Sequence, residues 1–117
     1  MASWGLNDKF EEPTMLQEAD VSLMSPEACK QIIHILGKHG IEIQAPSDGG
    51  ICTNPTAGTS SACLFDEGGM LMCQDTGDKS GKSWMLAGVV YGHPCDKDAP
   101  SIFVNIMNNL DEIKKHL

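Results

Sequence analysis

The chain has 117 residues, 41% hydrophobic and 21% charged, which suits one folded domain and argues against disorder. Eight Lys and Arg against sixteen Asp and Glu leave a net charge of −8. With no basic cluster to offset it, that balance excludes nucleic acid and anionic lipid as expected partners. No apolar run approaches the roughly 18–20 residues needed to span a bilayer, so no membrane segment is expected.

The N-terminal residues carry no basic stretch followed by an apolar one, and so no visible signal peptide. Five cysteines are many for a reducing compartment, and an even number of them could be oxidised. The expectation is an exported, extracellular chain whose signal lies elsewhere or has been removed.

In chain order, Ala19, Val21 and Leu23 alternate with Glu18, Asp20 and Ser22, a period of two that predicts a half-buried strand. Ser25 is an N-cap candidate and Pro26 suits a first helical turn. Ala28, Ile32, Ile33 and Leu36 then share one face, and Gly37 offers a stop. From Ala45 to Ser61, Gly, Pro, Ser, Thr and Asn predict loop, interrupted by a short Ile51-Cys52 element. Met70 to Cys73 and Trp84 to Tyr91 read as two strands of a hairpin joined by the polar loop Q-D-T-G-D-K-S-G-K-S. Another strand is expected over Ser101 to Ile106. Ile106, Leu110, Ile113 and Leu117 then trace the single apolar stripe of a C-terminal helix, with Lys114 and Lys115 suiting its C-terminal dipole. Short strands, long loops and a terminal helix together describe an all-β, barrel-like domain.

Several local motifs fail on chemistry. G-D-K-S-G-K-S has three residues between its glycines where a phosphate-binding loop has four, and a strand pattern follows it instead of a helix. The Asp75/Asp78 spacing does not match a helix–loop–helix calcium site. Cys63, Cys73, His93 and Cys95 could be read as zinc ligands, but they contain no C-x-x-C, and proline stiffens H-P-C, so the disulfide reading is preferred. His34, His39 and His116 read as surface histidines. Asn54-Pro55-Thr56 has proline where a glycosylation sequon forbids it. No metal and no cofactor are expected.

The residues C-L-F-D-E-G-G-M-L-M-C, from Cys63 to Cys73, resemble the C-x-G-D-S-G-G-P-L-x-C segment of trypsin/chymotrypsin-like serine proteases, with nine residues between the cysteines. W-G near the start resembles that family's G-W-G. L-Q-E-A-D-V-S-L-M-S-P-E-A-C, W-M-L-A-G-V-V-Y-G-H-P-C and S-I-F-V-N-I-M-N-N-L-D-E-I resemble, in order, its further conserved-type segments L-Q-x-x-x-V-x-x-x-S-x-x-x-C, W-x-L-x-G-I-V-S-W-G-x-x-C and G-V-Y-T-x-V-x-x-Y-x-x-W-I. The likeness covers nearly the whole chain. It implies the second six-stranded Greek-key barrel of the chymotrypsin-like double barrel, with a short helix and a C-terminal α-helix.

The resemblance also implies what has been lost. Glu67 stands where the family has its nucleophilic serine, and Phe65 where it has a glycine whose backbone N–H helps form the oxyanion hole. Tyr91-Gly92 is one residue short of the usual Ser-Trp-Gly. Ser61 stands, uncharged, at the base of the specificity pocket. The family's catalytic histidine and aspartate come from the first barrel, to which no stretch of this sequence corresponds. In the family, the residue matching Asp66 pairs with the freshly cleaved N-terminal amine of that first barrel. Asp66, Glu67 and Gly68 are therefore expected to be a degenerate active-site turn, with no catalytic residue. The resemblance further implies Cys29–Cys52 and Cys63–Cys95 disulfides. The usual partner of Cys73 lies just upstream of W-G, which leaves Cys73 either bridged to another chain or free. The expectation is a non-enzymatic homologue, a binding, scaffold or regulatory subunit, whose partner carries the first barrel. The rival expectation is the C-terminal chain of a working endopeptidase.

Overall fold

The longest strand pairing is a hairpin. In the computed structural model, which describes residues 1–7, 9–46, 50–54, 66–92 and 99–117, β4 (Met70–Gln74) runs antiparallel to β5 (Trp84–Gly92). Trp84, Val89, Val90 and Tyr91 give β5 strand-forming residues. The loop that joins the strands is closed by Asp78, which accepts hydrogen bonds from the backbone N–H groups of Ser80 and Ser83 and from the Ser80 hydroxyl. Gln74 Nε2 also donates to the Gly81 carbonyl at 2.6 Å. These local side-chain bonds close the loop and fix the register of the strands flanking it.

β6 (Ile102–Asn105) adds to the other edge of β5, and β3 (Ile51–Cys52) adds to β6. On the opposite side, β1 (Ala2–Ser3) pairs with β4, and β2 (Gln17–Glu18) pairs with β1. The result is one six-stranded antiparallel sheet in the order β2-β1-β4-β5-β6-β3. Its outermost strands meet: Leu23 bridges Thr53, Met24 N–H donates to the Cys52 carbonyl at 3.1 Å, and Asn54 N–H donates to the Ser22 carbonyl at 2.7 Å. The sheet therefore curls back on itself, which removes free edges as a barrel does.

The predicted strand around Ala19–Leu23 is shorter than its pattern. Only Gln17–Glu18 is regular strand, although Ala19 and Met1 exchange backbone bonds, with Ala19 N–H donating to Met1 O and the Met1 amine to Ala19 O, both at 2.9 Å. Ala19 and Val21 are half-buried as expected, whereas Leu23 stays exposed at the closing bridge.

Helix α1 (Pro26–Lys38) follows the predicted start, Ser25 accepting the Ala28 N–H at 3.2 Å with Pro26 in the first turn. Its expected face, Ala28, Ile32, Ile33 and Leu36, is half-buried, and Cys29 on the same side is fully buried. The stop is not Gly37. The helix runs on to Lys38 and turns at Gly40, whose φ is +81°. Gly40 N–H donates to Gly37 O and Ile41 N–H to Leu36 O, the paired bonds of a Schellman ending, which needs a left-handed residue after the cap. Gly37 sits one turn too early to provide it.

Two cores fill the barrel. Leu71, Val90 and Phe103 pack with Met1, Val21, Ile51 and Ala87. Cys29, Cys52 and Ile102 pack with Met24, Ile33, Ile43 and Ala45. The expected Cys29–Cys52 disulfide joins α1 to the barrel wall, with its Cα atoms 5.5 Å apart.

The C-terminal helix departs most from expectation. Met107–Asn109 is a 3₁₀ turn and only Leu110–Lys114, α2, is α-helical. The stripe exists as a pattern but is not buried within this chain: Ile113 is partly exposed and Leu117 is fully so. Periodicity shows which residues share a face; it does not supply a surface for that face to meet.

Candidate active site

The candidate site is the turn that precedes β4. Asp66 O accepts the Gly69 N–H at 2.8 Å, and Gly68 has φ +83°. An i→i+3 bond with a left-handed residue in third place is a type II turn, with Glu67 at its first central position. The turn is held to β5 by Gly68 N–H donating to Val90 O at 3.1 Å and Val90 N–H donating to Gly69 O at 2.9 Å. Gly69 has no room for a side chain, since a Cβ there would lie 2.7 Å from Ser3 Cβ and 2.8 Å from Asp66 O.

The two carboxylates of this turn have opposite environments. Asp66 is 5% exposed, and its Oδ1 accepts the Gly5 N–H at 2.8 Å across 61 residues of sequence. A Cβ on Gly5 would collide with that carboxylate. The Trp4-Gly5 pair therefore works as a cradle: glycine lets the backbone come close enough to donate to a buried anion. Glu67 is exposed at the tip. Asp66 anchors the turn and Glu67 is what the turn presents.

Tyr91 is half-exposed near the end of β5, where the register with β6 shifts between Val90 and Gly92. Such a bulge changes the direction in which a strand aims its side chains. Gly92 pairs with Ile102, and a Cβ on it would stand 2.7 Å from the Gln44 carbonyl. The structure thus brings Asp66, Glu67, Gly68 and Tyr91 to the joined ends of β4 and β5. Phe65, Ser61 and the proposed Cys63–Cys95 bridge lie outside the described residues, as does His93. Among the described residues no group of acidic, His and Cys side chains could hold a metal ion. The described histidines are on other elements: His34 on α1, His39 at its C-cap, and His116 beyond α2 beside Glu112.

Cys73 is a free thiol within this chain, half-buried and directly across from Met85 in the hairpin. It faces an open cavity of about 760 Å³ at the barrel mouth, lined also by Met1, Val21, Leu71 and Trp84. Asp78 in the hairpin loop is held well below the usual carboxylate range, first by hydrogen bonding from Ser83 and then from Ser80. That is a device of the loop and not of the site.

The sequence profile described as Trypsin matches residues 1–113. The chain belongs to the trypsin family. It is similar to coagulation factor XII of Sus scrofa, 32% identical over 120 residues that cover 99% of this chain and 18% of that protein. It is also similar to ovochymase-2 of Mus musculus, 29% identical over 131 residues, covering 99% of this chain and 20% of the relative. Transmembrane protease serine 11G of Mus musculus is 32% identical over 119 residues, covering 97% and 25%. The chain therefore spans about a fifth to a quarter of the length of these relatives. Within this trypsin-family barrel, the link between Gly5 and Asp66 is the feature that sequence reasoning missed. Its signal was the glycine after Trp4, but nothing local connects that glycine to a carboxylate so distant in the chain.

Proposed function

We propose that this trypsin-family chain is a non-catalytic serine-protease homologue, a binding, scaffold or regulatory subunit. The observation that carries the reading is Glu67, a carboxylate at the tip of an otherwise well-built turn. A carboxylate is a poor acyl nucleophile, and loss of the serine in an enzyme of this mechanism costs on the order of 10⁶ in kcat. Phe65 in place of the oxyanion glycine threatens a further factor of roughly 10²–10³. The imidazole and aspartate that would complete the triad belong to the first barrel.

The partner is a chain or segment carrying that first barrel. Trp84, Met85, Leu86, Tyr91 and Ile113 are exposed on this chain and offer apolar surface to such a partner. Where such a partner keeps its histidine, Glu67 pairs with it. Cys73 is then the residue that joins the two covalently, or it stays a free thiol. The Cys29–Cys52 disulfide supports export.

The test is labelling with an active-site phosphonate and turnover of a generic fluorogenic peptide, on this chain together with its native partner. Neither label nor turnover is expected, and Glu67→Ser alone should not restore activity while Phe65 remains. Covalent labelling of the unaltered protein would overturn the reading and favour the C-terminal chain of a working endopeptidase. That second reading draws on Asp66, which stays buried and hydrogen-bonded beside the turn.

A further inference from the structure

The loop between β1 and β2 holds an aromatic residue in a costly conformation for no internal gain. Phe10 has φ +59°, and every other described residue in that region is a glycine: Gly40, Gly50, Gly68 and Gly81. The backbone forces the conformation. Phe10 N–H donates to Asn7 O and Asn7 N–H to Glu11 O, both at 3.0 Å, while Asn7 Oδ1 accepts the N–H groups of Lys9 and Glu11. A left-handed place favours glycine. Phe10 is instead 65% exposed and lies outside both cores. The ring packs in neither core and is held outward by a backbone that a bulky residue rarely adopts.

A matching socket exists on the same chain. A groove of about 510 Å³ lies between the last turn of α1 and the segment 42–44. Ile33 and Ile43, which pack on the disulfide core, form its base. Gly37 leaves a notch, since nothing stands within 4 Å of where its Cβ would be. His34 and Lys38 form the helical wall and Glu42 the other. The charges are complementary in kind: in sequence Asp8 and Lys9 precede Phe10 and Glu11 and Glu12 follow it, a net acidic loop, and the groove sets Lys38 on one wall and Glu42 on the other. Among the described residues Glu112 pairs with Lys115 and His116, and Lys9, Glu11, Glu12, Lys38 and Glu42 make no ion pair with another described residue.

We propose that the groove at the end of α1 receives the Phe10 loop of a second copy of this chain. Lys9 then meets Glu42, and Glu11 and Glu12 meet Lys38 and His34. Because loop and groove are different patches, the contact is head-to-tail, so copies add in rows or close into a ring. The groove and the loop use none of the residues of the degenerate turn.

Two variants test it by sedimentation velocity on the purified chain over a wide concentration range, with circular dichroism confirming the fold. Phe10→Gly removes the ring and suits the left-handed backbone. Gly37→Leu fills the notch with a residue that favours helix. The unaltered chain is expected to grow in size with concentration, less so at high salt. Each variant alone should associate about 30-fold more weakly, the size of losing one buried aromatic anchor. Mixed together they should form a one-to-one pair and stop, since the Gly37→Leu copy keeps its loop and the Phe10→Gly copy keeps its groove. Should Gly37→Leu not fold, Lys38→Glu replaces it, and its association should return when Glu11→Lys and Glu12→Lys are introduced on the other copy. Unchanged association in both variants would place the contact on another face. A monomeric unaltered chain, or a mixture that stays monomeric, would overturn the proposal as well.

Discussion

Gly5→Ala is the sharpest test of how the site turn is held. The Gly5 N–H donates to the Asp66 carboxylate, which is 5% exposed, and a Cβ at position 5 would overlap that carboxylate. Either the carboxylate moves or the Trp4-Gly5 segment does, and the bond is lost in both cases. Hydrogen bonds to charged groups contribute about 1.5–3 kcal/mol, and a buried anion left short of donors costs more, so the expected loss is about 3 kcal/mol. With a urea slope of about 1.5 kcal/mol/M, the unfolding midpoint should fall by about 2 M. Tryptophan fluorescence reports it directly, because Trp4 adjoins the altered residue. Asp66→Ala is the companion: it removes the carboxylate and opens space for the new Cβ, so adding Gly5→Ala to it should cost almost nothing more. A Gly5→Ala loss within about 0.5 kcal/mol of zero, or additive losses in the double variant, would refute the cradle.

Further outcomes follow from the same geometry. Phe103→Ala, at a fully buried position in the first core, should cost about 3–5 kcal/mol in denaturant unfolding. Reduction of Cys29–Cys52, with 23 residues of separation, should remove about 3 kcal/mol, read as a lower midpoint under reducing conditions. Gly37→Ala, on an exposed helical position with free space around its Cβ, should raise stability by about 0.5–1 kcal/mol in thermal unfolding. For Asp78 the folded-state pKa is depressed by hydrogen bonds from Ser83 and Ser80, so its contribution is present above the ordinary carboxylate range and is lost as pH falls through and below that range. Carboxyl NMR titration should show Asp78 still ionised below the ordinary carboxylate range, and Ser80→Ala should bring its titration up toward that range.

Local signals carried further than distant ones. The β4–β5 hairpin, the Ser25 cap and the apolar face of α1 were legible because each rests on residues within a few positions of one another. The Cys29–Cys52 bridge was legible through family likeness, since five cysteines alone leave many pairings open. The stop glycine lies three residues later than expected because Gly37 and Gly40 carry the same local signal, and only the backbone at Gly40 turns left-handed. The stripe Ile106, Leu110, Ile113 and Leu117 gave the right face and an overlong helix, because burial of a face depends on a surface that periodicity cannot see. Of the site, Asp66, Glu67 and Gly68 were readable as a turn. The union of Asp66 with Gly5 was not, because it joins the two ends of a long stretch of chain through space. Phe10 gave no warning at all: a left-handed aromatic is a property of the closed loop and not of the residue.

The joint at Leu23 and Thr53 is the mechanical seam of the barrel. Two backbone bonds flank it, to Cys52 and from Asn54, and the disulfide begins at Cys52 itself. A cylinder built in this way is a wrapped ribbon whose overlap is narrow and riveted on one side. Its amide protons should exchange fastest along that overlap and slowest in β5, and cutting the rivet should widen the difference before the rest of the wall responds.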